Sequence, residues 1–399
     1  MSKILTEHDN INDNNNNTHE LNEYEQIDPL TQEEKDESLN IENNLDMVNN
    51  TDDDISLSLK VLQYNIFCRP RIISDDAQLE RAGSIPNAID DINSETKTPV
   101  DVVTICECFD DNCEKVLVAG MNKIGFYYHT DTIGEYPMKK CFSAVGPKLC
   151  NGGVKIFSRH KIINIKTKIF ATNEISGTDS LASKGVIYAK IMKMVPHTNA
   201  DGKLEHVPEY FHVFATHLQA WNTEKAQNNR MKELTDIRKF IEDLKFTGVI
   251  KLNEPIIISG DFNINYYKYY DEYQRMMYLL DVHEPLLPHG KYTSDPKLNS
   301  LVGRDGQKKP LQYEWLDYTF TVKDKNYEGL SLKEQTVKVW YPYKMDIDTF
   351  IYNDNKVCFC CFNNKLKTTN NFSDHFPVET LLKFKKKQTF PDFSRLFRA

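Results

Sequence analysis

Apolar and polar positions alternate in short runs along this chain, and a few stretches carry helical spacing. Leu59-Lys60-Val61-Leu62-Gln63-Tyr64-Asn65-Ile66 has a period near two and predicts a strand. Val100 to Ile105, Val154 to Phe157, Ile162 to Ile169, Val186 to Met192 and Phe211 to Thr216 read the same way. So do Pro255 to Gly260, Trp315 to Phe320 and Val378 to Phe384. Gln78 to Ile92 has helical spacing in Leu79, Ala82, Ile85 and Ile89, with Pro86 expected to break or kink it. Thr223 to Lys245 carries an apolar stripe of Met231, Leu234, Ile237, Ile241 and Leu244, and Asn222 or Thr223 can cap it. Several strands follow one another without helices between them. This order favours a mixed α/β sandwich of two sheets over a single parallel sheet. The stretch 323–372 is polar and poor in pattern and reads as an insertion, with a strand around Thr336 to Trp340.

Charge separates the N-terminus from the rest. Of the 58 acidic and 49 basic residues, 16 and 2 lie in residues 1–54, which also hold the run Asn14 to Asn17. The net charge of −9 is therefore −14 from this segment and +5 from residues 55–399. Residues 1–54 read as an acidic, Asn-rich disordered tail, and 55–399 as one folded domain. No signal peptide and no run long enough for a transmembrane helix is visible, so the expected location is the cytoplasm, with peripheral membrane contact. The nine cysteines are odd in number and lack paired Cys-x-x-Cys zinc spacing, so reduced thiols are expected.

Against that scaffold, polar residues collect at strand ends. Asn65 and Glu107 end two strands and offer hard oxygen ligands suited to Mg²⁺ or Mn²⁺. Asp261 and Asn263, two apart, would share a face if the segment is extended, and together could hold a metal-bound phosphate and a water. Gly260 before them permits close backbone approach. His375 can take a proton from water, Asp317 can fix its tautomer, and His217 can donate to phosphoryl oxygens. Lys184 can neutralise phosphate charge.

The set "LQYNIF", "DVVTICECFD", "GGVKIFSR", "FATHLQAW", "ISGDFNIN", "WLDYTF" and "SDHFPV" resembles the endonuclease/exonuclease/phosphatase superfamily from about residue 58 to 385. "THLQA", "GGVKIFSRHKI" and the run Asp179 to Gly185 are similar to neutral sphingomyelinases of the compact bacterial type. The resemblance implies the deoxyribonuclease-I-like fold, a four-layered sandwich of two mixed sheets flanked by helices. It implies Glu107 as the main metal ligand, with Asn65 assisting and Asp374 near the metal. Asp261 and Asn263 would position water and phosphate. His375 would be the base and Asp317 its orienter, with His217 on the scissile phosphate and Lys184 assisting. The implied reaction is Mg²⁺-dependent hydrolysis of sphingomyelin, or a related phosphosphingolipid, to ceramide and a phosphorylated head group.

One departure is Cys106, which stands where the family's motif has Gln before Glu. The paired aromatics that secreted relatives insert into membranes are also missing. The remaining candidates for lipid contact are Val339 to Tyr343, Asn265 to Tyr270, and the Phe384, Lys385, Lys386, Lys387 and Phe390 group. A nuclease, an inositol-phosphate phosphatase and an inactive lipid-binding scaffold share enough of these residues to stand as alternatives. The weakly basic body speaks against a nucleic-acid partner.

Overall fold

The computed structural model describes residues 57–70, 76–96, 98–134, 150–171, 182–199, 201–252, 254–303, 311–323, 329–340, 350–353 and 366–387. The acidic tail, Cys141, Asp179, Tyr341 to Tyr343 and Phe390 lie outside them.

One sheet contains β1 (Ser58–Cys68), β2 (Val102–Cys108), β3 (Tyr128–His129), β4 (Lys155–Ser158), β10 (Gly329–Val339) and β13 (Val378–Lys387), in the order β10-β13-β1-β2-β4-β3. The other contains β5 (Lys161–Ile169), β6 (Gly185–Thr198), β7 (Leu204–His217), β8 (Ile256–Asp261) and β9 (Asp317–Thr321), in sequential order. β1 and β2 are parallel, as are β7 and β8, and the other pairs within these two sheets are antiparallel. A separate hairpin joins β11 (Phe350–Asn353) to β12 (Leu366–Thr369). Within the stretch 323–372, β10 pairs along β13 as an edge strand of the first sheet.

Four helices complete the described residues: α1 (Gln78–Glu95), α2 (Asp111–Lys123), α3 (Glu224–Phe246) and α4 (Tyr270–Leu280). Three apolar clusters correspond to three interfaces between layers. Leu62, Tyr64, Ile66, Val103 and Ile105 pack against Ile85, Ile89 and Leu117 of α1 and α2. Phe214, Ile256, Ile258, Tyr318 and Phe320 pack against Leu234, Ile237, Ile241 and Met276 of α3 and α4. Between the sheets lie Leu59, Val61, Val102, Phe211, Val213, Ala215 and Ile257. The fold is thus helices, sheet, sheet, helices, and no described helix is long and apolar enough to cross a membrane.

Strand parity follows from these clusters. Leu59 and Val61 face the other sheet, so Gln63 and Asn65 do too. The same rule puts Thr104 and Cys106, His217, Ser259 and Asp261, and Asp317 and Thr319 on inter-sheet faces. The core between the sheets is therefore apolar toward one end and polar toward the other.

Pro86 does not break its helix: α1 runs unbroken from Gln78 to Glu95. Its ring is buried and packs where Gly120 of α2 has no side chain, since a Cβ there would meet Pro86 Cγ at 2.5 Å. Burial of the ring against α2 offsets the lost backbone bond. Trp340 and Phe384 are also buried, at 6% and 2% exposure, and are not surface anchors. Trp340 donates through Nε1 to Glu379 Oε2, and Phe384 packs on Phe211. Within the other candidates for lipid contact, Tyr267 and Tyr270 are exposed, as are Lys385 and Lys386.

Gly120→Val should drive a branched side chain into the Pro86 ring and lower unfolding free energy by about 2 kcal/mol. Urea denaturation measures this, and an unchanged midpoint would show that the helix contact is not tight.

Candidate functional site

Three residues from neighbouring strands sit on one rung of the second sheet. His217 of β7 pairs with Asp261 of β8, which pairs with Asp317 of β9. Close approach of β7 and β8 requires Gly260, because a Cβ there would lie 2.0 Å from Thr216 O. Across the interface, Asn65 pairs with Cys106 in the first sheet. Parity would aim Glu107 at the helices. Its φ of 60° breaks that alternation, at an irregularity in the β1/β2 register.

Asn65 connects the two sheets. Its Nδ2 donates to Glu107 Oε1 at 3.0 Å and to Asp261 Oδ2 at 2.9 Å. Its Oδ1 accepts from Phe67 N, and its backbone oxygen accepts from Ser373 Oγ at 2.6 Å. His375, two residues from Ser373, joins Asp317 Oδ2 through Nδ1 at 2.6 Å and brings Nε2 to 3.9 Å from Asp261 Oδ2. His217 Nε2 stands 3.7 Å from Asp261 Oδ2 and 4.0 Å from Glu107 Oε1. Asn65, Glu107, His217, Asp261, Asp317 and His375 therefore converge.

Asn263 is placed differently from the sequence expectation. The segment is not extended there: Asn263 has a φ of 53°, and its N–H donates to Asp261 Oδ1 at 2.9 Å. An aspartate at a strand end captures the amide two residues on and turns the chain. Asn263 Nδ2 donates to Leu218 O at 3.1 Å, and Lys184 Nζ donates to the same oxygen at 2.6 Å. Both support the turn that follows His217. Asp374 is half-buried, has Oδ1 3.2 Å from Ser373 Oγ, and lies outside both clusters of ligand atoms found among the described residues. Those clusters are Glu107 with His217 and Asp261, and Asp261 with Asp317 and His375; in each, the ligand atoms lie within 4.8 Å of one another.

Electrostatics give the two histidines opposite characters. Burial, reinforced by the charge of Lys184, lowers His217 from 6.5 to about 3, so its ring is neutral. Its buried Nδ1 has no hydrogen-bond partner among the described residues. Burial also disfavours charge on His375, but the adjacent Asp317 carboxylate outweighs it, and its pKa stands well above the ordinary value. Burial raises Glu107, with the nearby Asp261 charge adding to the shift and Asn65 opposing it.

Arg81 was not anticipated as a supporting residue. Fully buried on α1, it donates to the carbonyls of Ile66, Phe67 and Phe372, and so ties the β1 end to the loop carrying His375. The available signal was an arginine on the apolar stripe of α1, one turn before Ile85. The described thiols Cys68, Cys106, Cys108 and Cys113 are free, and burial raises Cys106 well above the ordinary thiol range.

Two mixed sheets packed face to face between helices, with acidic, amide and histidine side chains at one end, define the deoxyribonuclease-I-like class. No family model matches the chain. Its curated relatives are sphingomyelinases C. That of Leptospira interrogans is 27% identical over 338 residues, covering 81% of this chain and 51% of that protein. That of Listeria ivanovii is 27% identical, covering 80% and 85%. The chain spans about half the length of the first Leptospira relatives it matches. Among solved structures, SmcL is 25% identical with a TM-score of 0.63, covering 82% of this chain and 99% of that one. A Staphylococcus aureus beta toxin mutant with bound magnesium ions has the same fold at 24% identity and a TM-score of 0.61, with 81% and 99% covered. The chain is a relative of the bacterial sphingomyelinases C.

The lowered His217 fixes the sign of one pH effect. Its folded value lies below its unfolded value, so its stabilising contribution is full above about pH 6.5 and is lost as pH falls toward 3. His375 has the opposite sign: its contribution is full below the unfolded value and is lost as pH rises through its raised folded value. In chelator-treated protein, His217→Gln should reduce the fall in unfolding free energy between pH 7 and 4 by about 2–3 kcal/mol. Equal falls in variant and wild type would contradict a buried neutral His217.

Proposed function

We propose that this chain is a Mg²⁺-dependent phosphodiesterase that hydrolyses sphingomyelin to ceramide and phosphocholine, acting through the single domain from residue 55 onward. The observation that carries this reading is the His375–Asp317 pair at 2.6 Å, aimed at Asp261 beside the Asn65–Glu107 pair. Kinship with sphingomyelinases C supports the lipid substrate over nucleic acid.

In this mechanism His375 Nε2 takes the proton of the water that attacks phosphorus, the bond from phosphorus to the ceramide oxygen breaks, and the departing oxygen takes a proton from solvent, while Asp317 holds Nδ1–H and thereby fixes ring and tautomer. Asn263 and His217 orient the phosphoryl oxygens, and Lys184, anchored at Leu218, adds positive charge behind His217. Glu107 and Asp261 offer the carboxylate oxygens that Mg²⁺ favours; Asn65, whose oxygen is held by Phe67 N–H, spaces the two through Nδ2, and Asp374 adds negative charge nearby. When bound, Mg²⁺ would offset the carboxylate charge that holds the proton on His375 and would polarise a phosphoryl oxygen. The substrate is a bilayer lipid, so the domain works as a peripheral protein; Tyr267 and Tyr270 are among the exposed aromatics available to meet the surface.

Purified full-length chain should release phosphocholine from sphingomyelin vesicles with Mg²⁺ and lose that activity in EDTA. His375→Ala should fold normally and lose activity by roughly a thousandfold. Plasmid nicking without phosphocholine release would overturn the lipid substrate, and full turnover by the variant would remove His375 as the base.

A further inference from the structure

Below the converging residues, strand parity also puts Gln63, Thr104, Ser259 and Thr319 between the sheets. Each is at most 2% exposed. Buried polar groups at core positions are costly unless each is bonded, and these form one continuous chain. Thr104 Oγ1 donates to Gln63 Oε1 at 2.6 Å. Its single proton is then committed, so it must accept from Ser259 Oγ at 2.8 Å. Ser259 in turn must accept from Thr319 Oγ1 at 2.9 Å. Donation therefore runs one way, from Thr319 through Ser259 and Thr104 to Gln63, passing from the second sheet into the first.

The Gln63 amide has an independent constraint: the Asp317 carboxylate can only accept, so Nε2 faces Asp317 Oδ1 at 3.3 Å and Cys106 Sγ at 3.4 Å, and the oxygen faces Thr104. Asp317 then has both carboxylate oxygens engaged, Oδ1 by Gln63 and Oδ2 by His375. Without the amide, the buried carboxylate could rotate about its own axis and exchange the oxygen that holds the ring.

We propose that Gln63 is a positioning residue that locks the Asp317 carboxylate and through it the His375 ring, with Thr104, Ser259 and Thr319 holding the Gln63 amide in that direction. The catalytic consequence rests on the hydrolase reading above; the effect on His375 geometry does not.

Gln63→Met keeps the side-chain length and removes the donor. On sphingomyelin vesicles with saturating Mg²⁺, its kcat should fall roughly tenfold or more, with KM within about twofold of wild type. Thr104→Val should give a smaller loss of the same kind, and Thr104→Ser should restore it. Independently of substrate, the His375 Nδ1–H proton resonance of the full-length chain, assigned by its loss in His375→Ala, should move upfield in Gln63→Met. A wild type that releases no phosphocholine but shows this displacement would fail the hydrolase reading and keep the positioning role. A Gln63→Met protein that melts with wild type, turns over normally and leaves the resonance in place would overturn the proposal. If Gln63→Met does not fold, the Thr104 pair decides by the same readouts: Thr104→Val equal to wild type in both would overturn it.

Discussion

The site depends on one amide. Asn65 has two Nδ2 protons, and the structure gives one to Glu107 of the first sheet and one to Asp261 of the second. Its other polar atoms hold the chain at Phe67 and the loop at Ser373. A carboxylate at this position would set three negative groups against one another, and an apolar side chain would leave two buried carboxylates unbridged. An amide here therefore fixes the register between the sheets where the apolar core ends, and the histidine-bearing loop follows from it.

Around that joint the electrostatics pull in different directions. The clustered carboxylates and Asp317 favour a proton on His375, while burial and Lys184 keep His217 neutral. Burial also resists ionisation of Glu107. A site with so much negative charge in so little solvent is complementary to a divalent cation, whose charge would in turn attract an anionic phosphodiester. Left-handed backbone at Phe67, Glu107 and Asn263 shows where the chain bends to bring these groups into register, and the Asn65, Asp261 and Ser373 side-chain bonds hold those bends.

Much of this was legible from pattern. The apolar runs of the central strands and the stripe of α3 marked the sandwich, because burial on two faces leaves few polar positions to confuse the period. The polar residues ending those runs marked the converging groups. Pro86 misled because a helix rule is local, and the contact that tolerates it comes from Gly120 on another helix. Asn263 misled because the i, i+2 rule assumes extension, whereas Asp261 turns its own chain. Trp340 and Phe384 looked like surface aromatics because nothing local shows which layer will cover them. Gln63, Thr104, Ser259 and Thr319 were visible as polar residues in apolar strands, but their meaning required knowing that their faces meet.

In the proposed reaction the converging side chains direct water to phosphorus in a lipid phosphodiester. Hydrolysis of sphingomyelin in ¹⁸O-enriched water, followed by ³¹P spectroscopy and mass analysis of both products, tests it most directly. One ¹⁸O in phosphocholine and none in ceramide is the expected result. Label in ceramide, or a phosphorylated product other than phosphocholine, would contradict it.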